Sequence, residues 1–192
     1  MSEDLAPAAI TWWQEDEIRL RSEVADMYAR APGLVWRQEG SGGWAGHVPL
    51  WPFARRQPSG VATLVRGQPF EVTIQCRAAH PMVVPFVWPI NVQPSIDELG
   101  WTEWHLLPNG SLCLLQVNAD WDPSAHAAEL IEKISGWYIE YNLMLAGYID
   151  HMTEYGIAQD DCLDDILENI TDYPLEMEGE QDGHGDGGDS DP

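Results

Sequence analysis

Two hydrophobic periods alternate along the chain. Trp13, Leu20, Val24, Met27 and Tyr28 recur at helical spacing behind a Thr11–Gln14 capping pair, so residues 12–31 are expected as an amphipathic helix stopped by Pro32–Gly33. Residues 34–39 (LVWRQE) read as a strand. Residues 40–60 hold Gly40, Gly42, Gly43, Gly46, Pro49, Pro52, Pro58 and Gly60, which is too much punctuation for a helix. Short strands and loops are expected there, with Trp44 and Trp51 packed inward or across a hairpin. Residues 60–65 read as a further strand and Arg66–Gly67 as a turn. In residues 69–76 (PFEVTIQC) Phe70, Val72 and Ile74 face one way, and Glu71, Thr73 and Gln75 the other. That is the pattern of a half-buried antiparallel strand. Four prolines among apolar residues in 81–94 predict extended chain with restricted turns.

The later half returns to the helical period. After a short apolar run at 111–117, Asp122–Pro123 offers a cap and a first-turn proline for a long helix. Leu130, Ile131, Ile134, Trp137, Tyr138, Tyr141 and Leu145 mark its buried face. Leu163, Ile166 and Leu167 suggest a short acidic helix within 160–170. Residues 176–192 alternate Gly with Asp and Glu and carry almost nothing apolar, so a disordered tail is expected. Helix, hairpin-linked strands, irregular chain and helices in that order predict an α+β fold with helices on one antiparallel sheet. The expected division is a domain over 1–155, an acidic helical extension over 156–175, and the tail.

Charge narrows the partners. The chain has 192 residues and a net charge of −23; all nine Lys and Arg lie within residues 1–159, and thirteen acids follow from Asp160 with no base. Such a chain repels phosphate backbones and anionic membrane surfaces, so neither nucleic acid nor membrane is an expected partner. Ten tryptophans are enough to supply core and also partner-facing patches. Cys76, Cys113 and Cys162 are too far apart for a metal pair or a disulfide framework, and the six histidines show no zinc spacing. No metal or organic cofactor is expected. MSEDLAP lacks a signal-peptide pattern, so a cytoplasmic protein with reduced thiols is expected.

Chemistry concentrates in WHLLPNGSLCLLQVNADWDP, residues 104–123. A cysteine in an apolar run is usually core. Cys113 differs because Pro108–Asn109–Gly110 makes a tight turn before it and the polar Asn118–Pro123 loop follows. Such a thiol can lie in a shallow groove, with His105, Asn109 and Asn118 close enough in sequence to stabilise a developing oxyanion. Cys76 ends the alternating strand and reads as core. Cys162 has carboxylates around it that disfavour a thiolate.

Asn109–Gly110–Ser111–Leu112–Cys113–Leu114, with Trp121 and Pro123 eight and ten residues beyond the cysteine, resembles the ubiquitin-conjugating (UBC-like) family. The alternating strand at 69–76, then His80–Pro81 and Pro85–Phe86–Val87, is similar to the segment that precedes the cysteine in that family. The resemblance covers about residues 12–150 and is specific between about 69 and 137. It implies an N-terminal helix, a meander of about four strands, a cysteine loop and C-terminal helices. It also implies a thioester on Cys113, taken from an adenylating, ATP-using activating enzyme that carries a ubiquitin-like modifier, and passed to an amine on a target protein.

The chain departs from the family in two places. Its His-Pro-Asn tripeptide is replaced by Trp104–His105–Leu106, so His105 keeps the His position while Asn109 or Asn118 stands in for the Asn. The acidic residue beside the acceptor lysine has no single counterpart: Glu140 and Asp150 straddle its place, and Asp120 and Asp122 lie nearer the cysteine. Asp120 or Asp122 is the candidate for lowering or accepting the amine's charge. This divergence resembles the prokaryotic branch encoded with modifiers and deconjugating proteases in antiphage operons. Lys133 is the chain's only lysine, which would limit transfer of cargo to its own amines or simply reflect a codon bias toward Arg. Three other readings stand beside the enzyme: an inactive UBC-like scaffold, an acidic immunity-type interaction protein, and a Cys–His hydrolase using Cys113 and His105.

Overall fold

The structure, a computed structural model, describes residues 10–95, 98–99, 102–115 and 121–171. It is an α+β arrangement of one antiparallel sheet with helices packed against it. Gln14 accepts the Thr11 N–H at 3.0 Å, as the capping pair predicts, but the first helix is brief. Asp16 accepts the Arg19 N–H at 2.9 Å and starts a second helix, so the expected helix is two: α1, Trp12–Glu15, and α2, Glu17–Arg30.

Strands β1 (Leu34–Arg37), β2 (Gly43–Val48), β3 (Phe70–Gln75) and β4 (Phe86–Pro89) form a meander in the order β1-β2-β3-β4. The register places Trp36 opposite Trp44, Trp44 opposite Ile74, and Ile74 opposite Val87. Period-two alternation then puts Leu34, Trp44, Val48, Phe70, Val72, Ile74 and Val87 on one buried face. Gly46 allows the chain entering β1 to pass close by, since a Cβ there would stand 2.2 Å from the Gly33 carbonyl oxygen.

The expected strand at 60–65 is instead the short helix α3, Val61–Leu64. Val61, Leu64 and Val65 are buried, and their i, i+3, i+4 spacing suits a helical turn as well as the alternation suited a strand. The long helix also begins later than Asp122–Pro123. The Asp122 carboxylate accepts both N–H and Oγ–H of Ser124 at 2.8 Å, making a turn. A 3₁₀ turn over Ala127–Leu130, capped through the Glu129 bond to the His126 N–H at 3.0 Å, then leads into α4, Ile131–Leu145. Of the expected buried face, Leu130, Ile131, Ile134, Trp137, Tyr138 and Tyr141 are buried, whereas Leu145 at the last turn is 52 % exposed. A fifth helix, α5, Asp164–Glu168, brings Leu163 and Leu167 into the same core, and the expected tail at 176–192 lies outside the described residues.

Aromatic side chains join the layers. Phe70 of β3 stacks on Tyr138 of α4 at 4.4 Å between ring centroids and 3° between planes, and Trp137 stacks on Tyr141 at 4.8 Å. At the other end Trp36 packs on Trp44 at 4.8 Å and Trp12 on His80 at 4.5 Å. The nine described tryptophans are all buried or half-buried, so the described surface has no exposed tryptophan patch.

A buried carboxylate ties α2 to the rest. Glu23, with no exposed surface, accepts from Arg19 Nε at 2.9 Å, His80 Nε2 at 3.0 Å and the Ala127 N–H at 2.8 Å. Arg19 also donates to the Ser124 carbonyl at 3.2 Å and to the Ala125 carbonyl. Burial alone raises the Glu23 pKa, but the His80, Ala127 and Arg19 interactions together outweigh it and hold the group below its ordinary value of 4.5. Its stabilising contribution is therefore present above pH 4.5 and lost as the pH falls through the lower folded-state value. Glu23→Gln is expected to lower the unfolding free energy by about 3 kcal/mol near neutral pH, because Arg19 loses its buried counter-charge and the His80 and Ala127 donors lose a charged acceptor. Chemical denaturation across pH checks this: the wild-type-minus-variant difference shrinks below pH 4.5, and a constant difference would contradict it.

Candidate active site

The segment after β4 turns back on itself in front of Cys113. A 3₁₀ turn over Thr102–Trp104 is held to α4 by Trp137 Nε1, which donates to the Trp104 carbonyl at 2.9 Å. His105 follows at φ +46°, in the left-handed region, and reverses the chain. Its carbonyl accepts the Cys113 N–H at 2.8 Å, Leu106 pairs with Leu112, and the Ser111 carbonyl accepts the Leu107 N–H at 2.8 Å. Gly110 at φ +81° closes the tip. The Leu112 N–H then donates to the Val87 carbonyl at 2.8 Å, fixing the hairpin to β4.

Cys113 thus leaves a rigid hairpin half-buried, its thiol directed to the Leu115 carbonyl at 3.6 Å. It opens onto a cavity of about 480 Å³, with His105, Leu114 and Leu115 beside it. The floor is α4, through Lys133, Gly136, Trp137 and Glu140, and the outer wall is the chain from Met152 to Gln159. Gly136 lets that wall approach: a Cβ there would lie 3.3 Å from Ile157 Cγ1.

Glu140 staples the wall in place. Only 2 % exposed, it accepts from the Thr153 N–H at 2.6 Å, Thr153 Oγ1 at 3.0 Å and the Ile157 N–H at 2.8 Å. Burial raises its pKa and these neutral donors only partly offset that. Burial likewise pushes the Cys113 thiol up and the His105 imidazole down. At neutral pH the cavity therefore presents a protonated thiol and a neutral imidazole.

Of the sequence-derived candidates, Cys113 and His105 meet at this cavity. Asn109 does not line it; the side-chain oxygen accepts from the Ser111 N–H at 3.1 Å and Oγ at 2.7 Å, holding the turn. Asn118 and Asp120 lie outside the described residues. Trp121 is buried, and its indole N–H donates to the Pro81 carbonyl at 2.7 Å. Lys133 stood out in the sequence for its rarity, not for its place in the lining of the Cys113 cavity. Glu140 carried one legible sign: Lys133, Gly136, Trp137 and Glu140 are spaced i, i+3, i+4 and i+7, a mixed stripe on an otherwise apolar helix.

Neither family models, curated proteins nor solved structures match this chain. The site must therefore be read from its own chemistry. Among the described residues, no group of three His, Cys, Asp or Glu side chains is placed to hold a metal ion, and no helix is long and apolar enough to cross a membrane.

The three thiols should separate by reactivity. Iodoacetamide on the folded protein, followed by peptide mass spectrometry, is expected to modify the exposed Cys162 and the half-buried Cys113 and to spare Cys76, whose thiol burial pushes far up. The Cys113 rate should rise with a midpoint above ~8.5, the value of an ordinary thiol. A midpoint at or below it would contradict the environment described.

Proposed function

We propose that this chain is a conjugating enzyme for a ubiquitin-like modifier, a UBC-like transferase that carries the modifier as a thioester on Cys113. The observation that carries the reading is a half-buried cysteine at the end of a hydrogen-bonded hairpin, opening onto a cavity walled by residues 152–159 rather than sealed in the core. The order of helix, four-strand meander, cysteine hairpin and helix supports it, as do the Asn109–Gly110–Ser111–Leu112–Cys113–Leu114 run and Trp121 beyond it.

The reaction needs position more than base strength. The Cys113 thiolate attacks the carbonyl of the modifier's C-terminal thioester on an activating enzyme. A carbon–sulfur bond forms, the old one breaks, and the activating enzyme's thiol leaves. Exchange between thioesters is nearly isoenergetic, so a fixed thiol suffices. An amine of the target protein then displaces Cys113, giving an amide, and the thiol recovers a proton. The raised thiol pKa suits a carrier, since the resting thiol is little ionised and resists oxidation and stray electrophiles. Neutral His105 beside it can accept a proton from the incoming ammonium. ATP is spent by the activating enzyme, and a reducing cytoplasm keeps Cys113 free. An antiphage conjugation system of bacterial type is the setting that fits the sequence resemblance.

Incubation with the activating enzyme and modifier of the same genome, plus ATP, tests this on a non-reducing gel. The expected result is a band heavier by one modifier that disappears with added thiol and is absent in Cys113→Ala. A band that persists in Cys113→Ala, or none with partners active on each other, would leave a binding scaffold as the better reading.

A further inference from the structure

The chain's only lysine shares a cavity with its candidate nucleophile. Lys133 sits in the first turn of α4, whose stripe of Gly136, Trp137 and Glu140 faces the same space. The side chain is half-buried, and among the described residues no hydrogen bond or ion pair engages it. A four-carbon stem with nothing holding its end can sweep the cavity. Glu140, the nearest buried carboxylate on the helix, is already occupied by Thr153 and Ile157.

We propose that Lys133 is an internal acceptor: an acyl group carried as a thioester on Cys113 is passed to the Lys133 amine, leaving the chain modified there through an amide. This rests on the reading of Cys113 as a thioester carrier. The Lys133 ammonium first gives one proton to solvent or to the neutral His105 imidazole. Its nitrogen attacks the thioester carbonyl carbon, the carbon–nitrogen bond forms and the carbon–sulfur bond breaks. The remaining excess proton on nitrogen passes to the departing Cys113 thiolate. No oxidant or cofactor is consumed, and amide formation from a thioester is downhill.

Confinement favours this route. An amine held in the same cavity as the thioester competes at a high effective concentration against amines in solution. The other basic side chains are eight arginines, whose guanidinium groups stay protonated and do not accept acyl groups. Self-transfer to a side-chain amine of the chain therefore has one address, in the cavity that the carrier thiol opens onto. It acts as a brake, because a thioester that finds no target amine ends as a stable mark instead of cycling.

A small glycine thioester, acetyl-Gly-Gly joined to mercaptoethanesulfonate, tests the step on the full chain without the natural modifier. Acyl groups are mapped by peptide mass spectrometry with and without hydroxylamine, which strips thioesters but leaves amides. The expected course is early, labile acylation of Cys113 followed by stable acylation of Lys133. In Cys113→Ala the Lys133 acylation should fall by roughly tenfold or more, while acylation of the terminal amine is unchanged. Lys133→Arg, which keeps charge and approximate length, should lose the stable internal acyl group and show a longer-lived Cys113 thioester at an unchanged melting temperature. Acylated Cys113 with Lys133 left unmodified would overturn this inference and leave the carrier reading standing. Equal Lys133 acylation in Cys113→Ala would overturn it too, as direct chemistry. A Cys113 that never takes the glycine acyl group would overturn both.

Discussion

Glu23 carries a charge with no access to water, and the way that charge is compensated organises the chain. Its partners come from α2 itself, from the His80–Pro81 turn and from the start of the 3₁₀ turn that leads into α4. Pro81 in turn accepts from Trp121. The chain on both sides of the Cys113 region is thereby anchored, upstream by Leu112 on β4 and downstream by Trp121, Ser124, Ala125 and Ala127 on the Glu23 cluster. Breaking the cluster would release the downstream anchor without touching the cysteine.

A second buried carboxylate, Glu140, shows how much the partner chemistry matters. Both acids are almost fully buried, yet one is held below the ordinary range and the other above it. Glu23 faces a guanidinium and an imidazole besides a backbone N–H, and charge-assisted bonds outweigh desolvation. Glu140 receives only neutral donors, so desolvation wins. The first arrangement fixes the frame of the site, and the second closes its wall over Cys113 and Lys133. In that space a raised thiol pKa has two consequences: little thiolate at rest, and a thiol that is a poorer leaving group once acylated. The second would lengthen the life of an acyl group carried on that sulfur until a well-placed amine arrives.

Much of this was legible in the sequence where a pattern ran long enough. The alternation through Phe70, Val72 and Ile74 read the central strand, and the face from Leu130 to Tyr141 read α4. Shorter windows misled: Val61, Leu64 and Val65 satisfy a helical turn inside a segment that also alternates, and burial against the core decides between them. Asp122–Pro123 looked like a helix start because a capping turn and a helix cap use the same residue types. At the site, Pro108–Asn109–Gly110 predicted a tight turn before Cys113, but it gave no hint that the turn closes a hairpin or that Asn109 would be spent on Ser111. The cavity wall from Met152 to Gln159 was invisible for a different reason: it meets Cys113 only through tertiary packing, held by one glutamate on another element.

The most direct test of Cys113 as a carrier is made in the organism's own cells. Cys113→Ser, expressed there and isolated under denaturing conditions, would convert a transient thioester into a longer-lived oxyester. Intact-mass and peptide measurements should then find a small protein joined through its C-terminus to residue 113 and released by mild base. A variant that accumulates no adduct at that residue, while the modifier is found conjugated elsewhere in the same cells, would contradict the account.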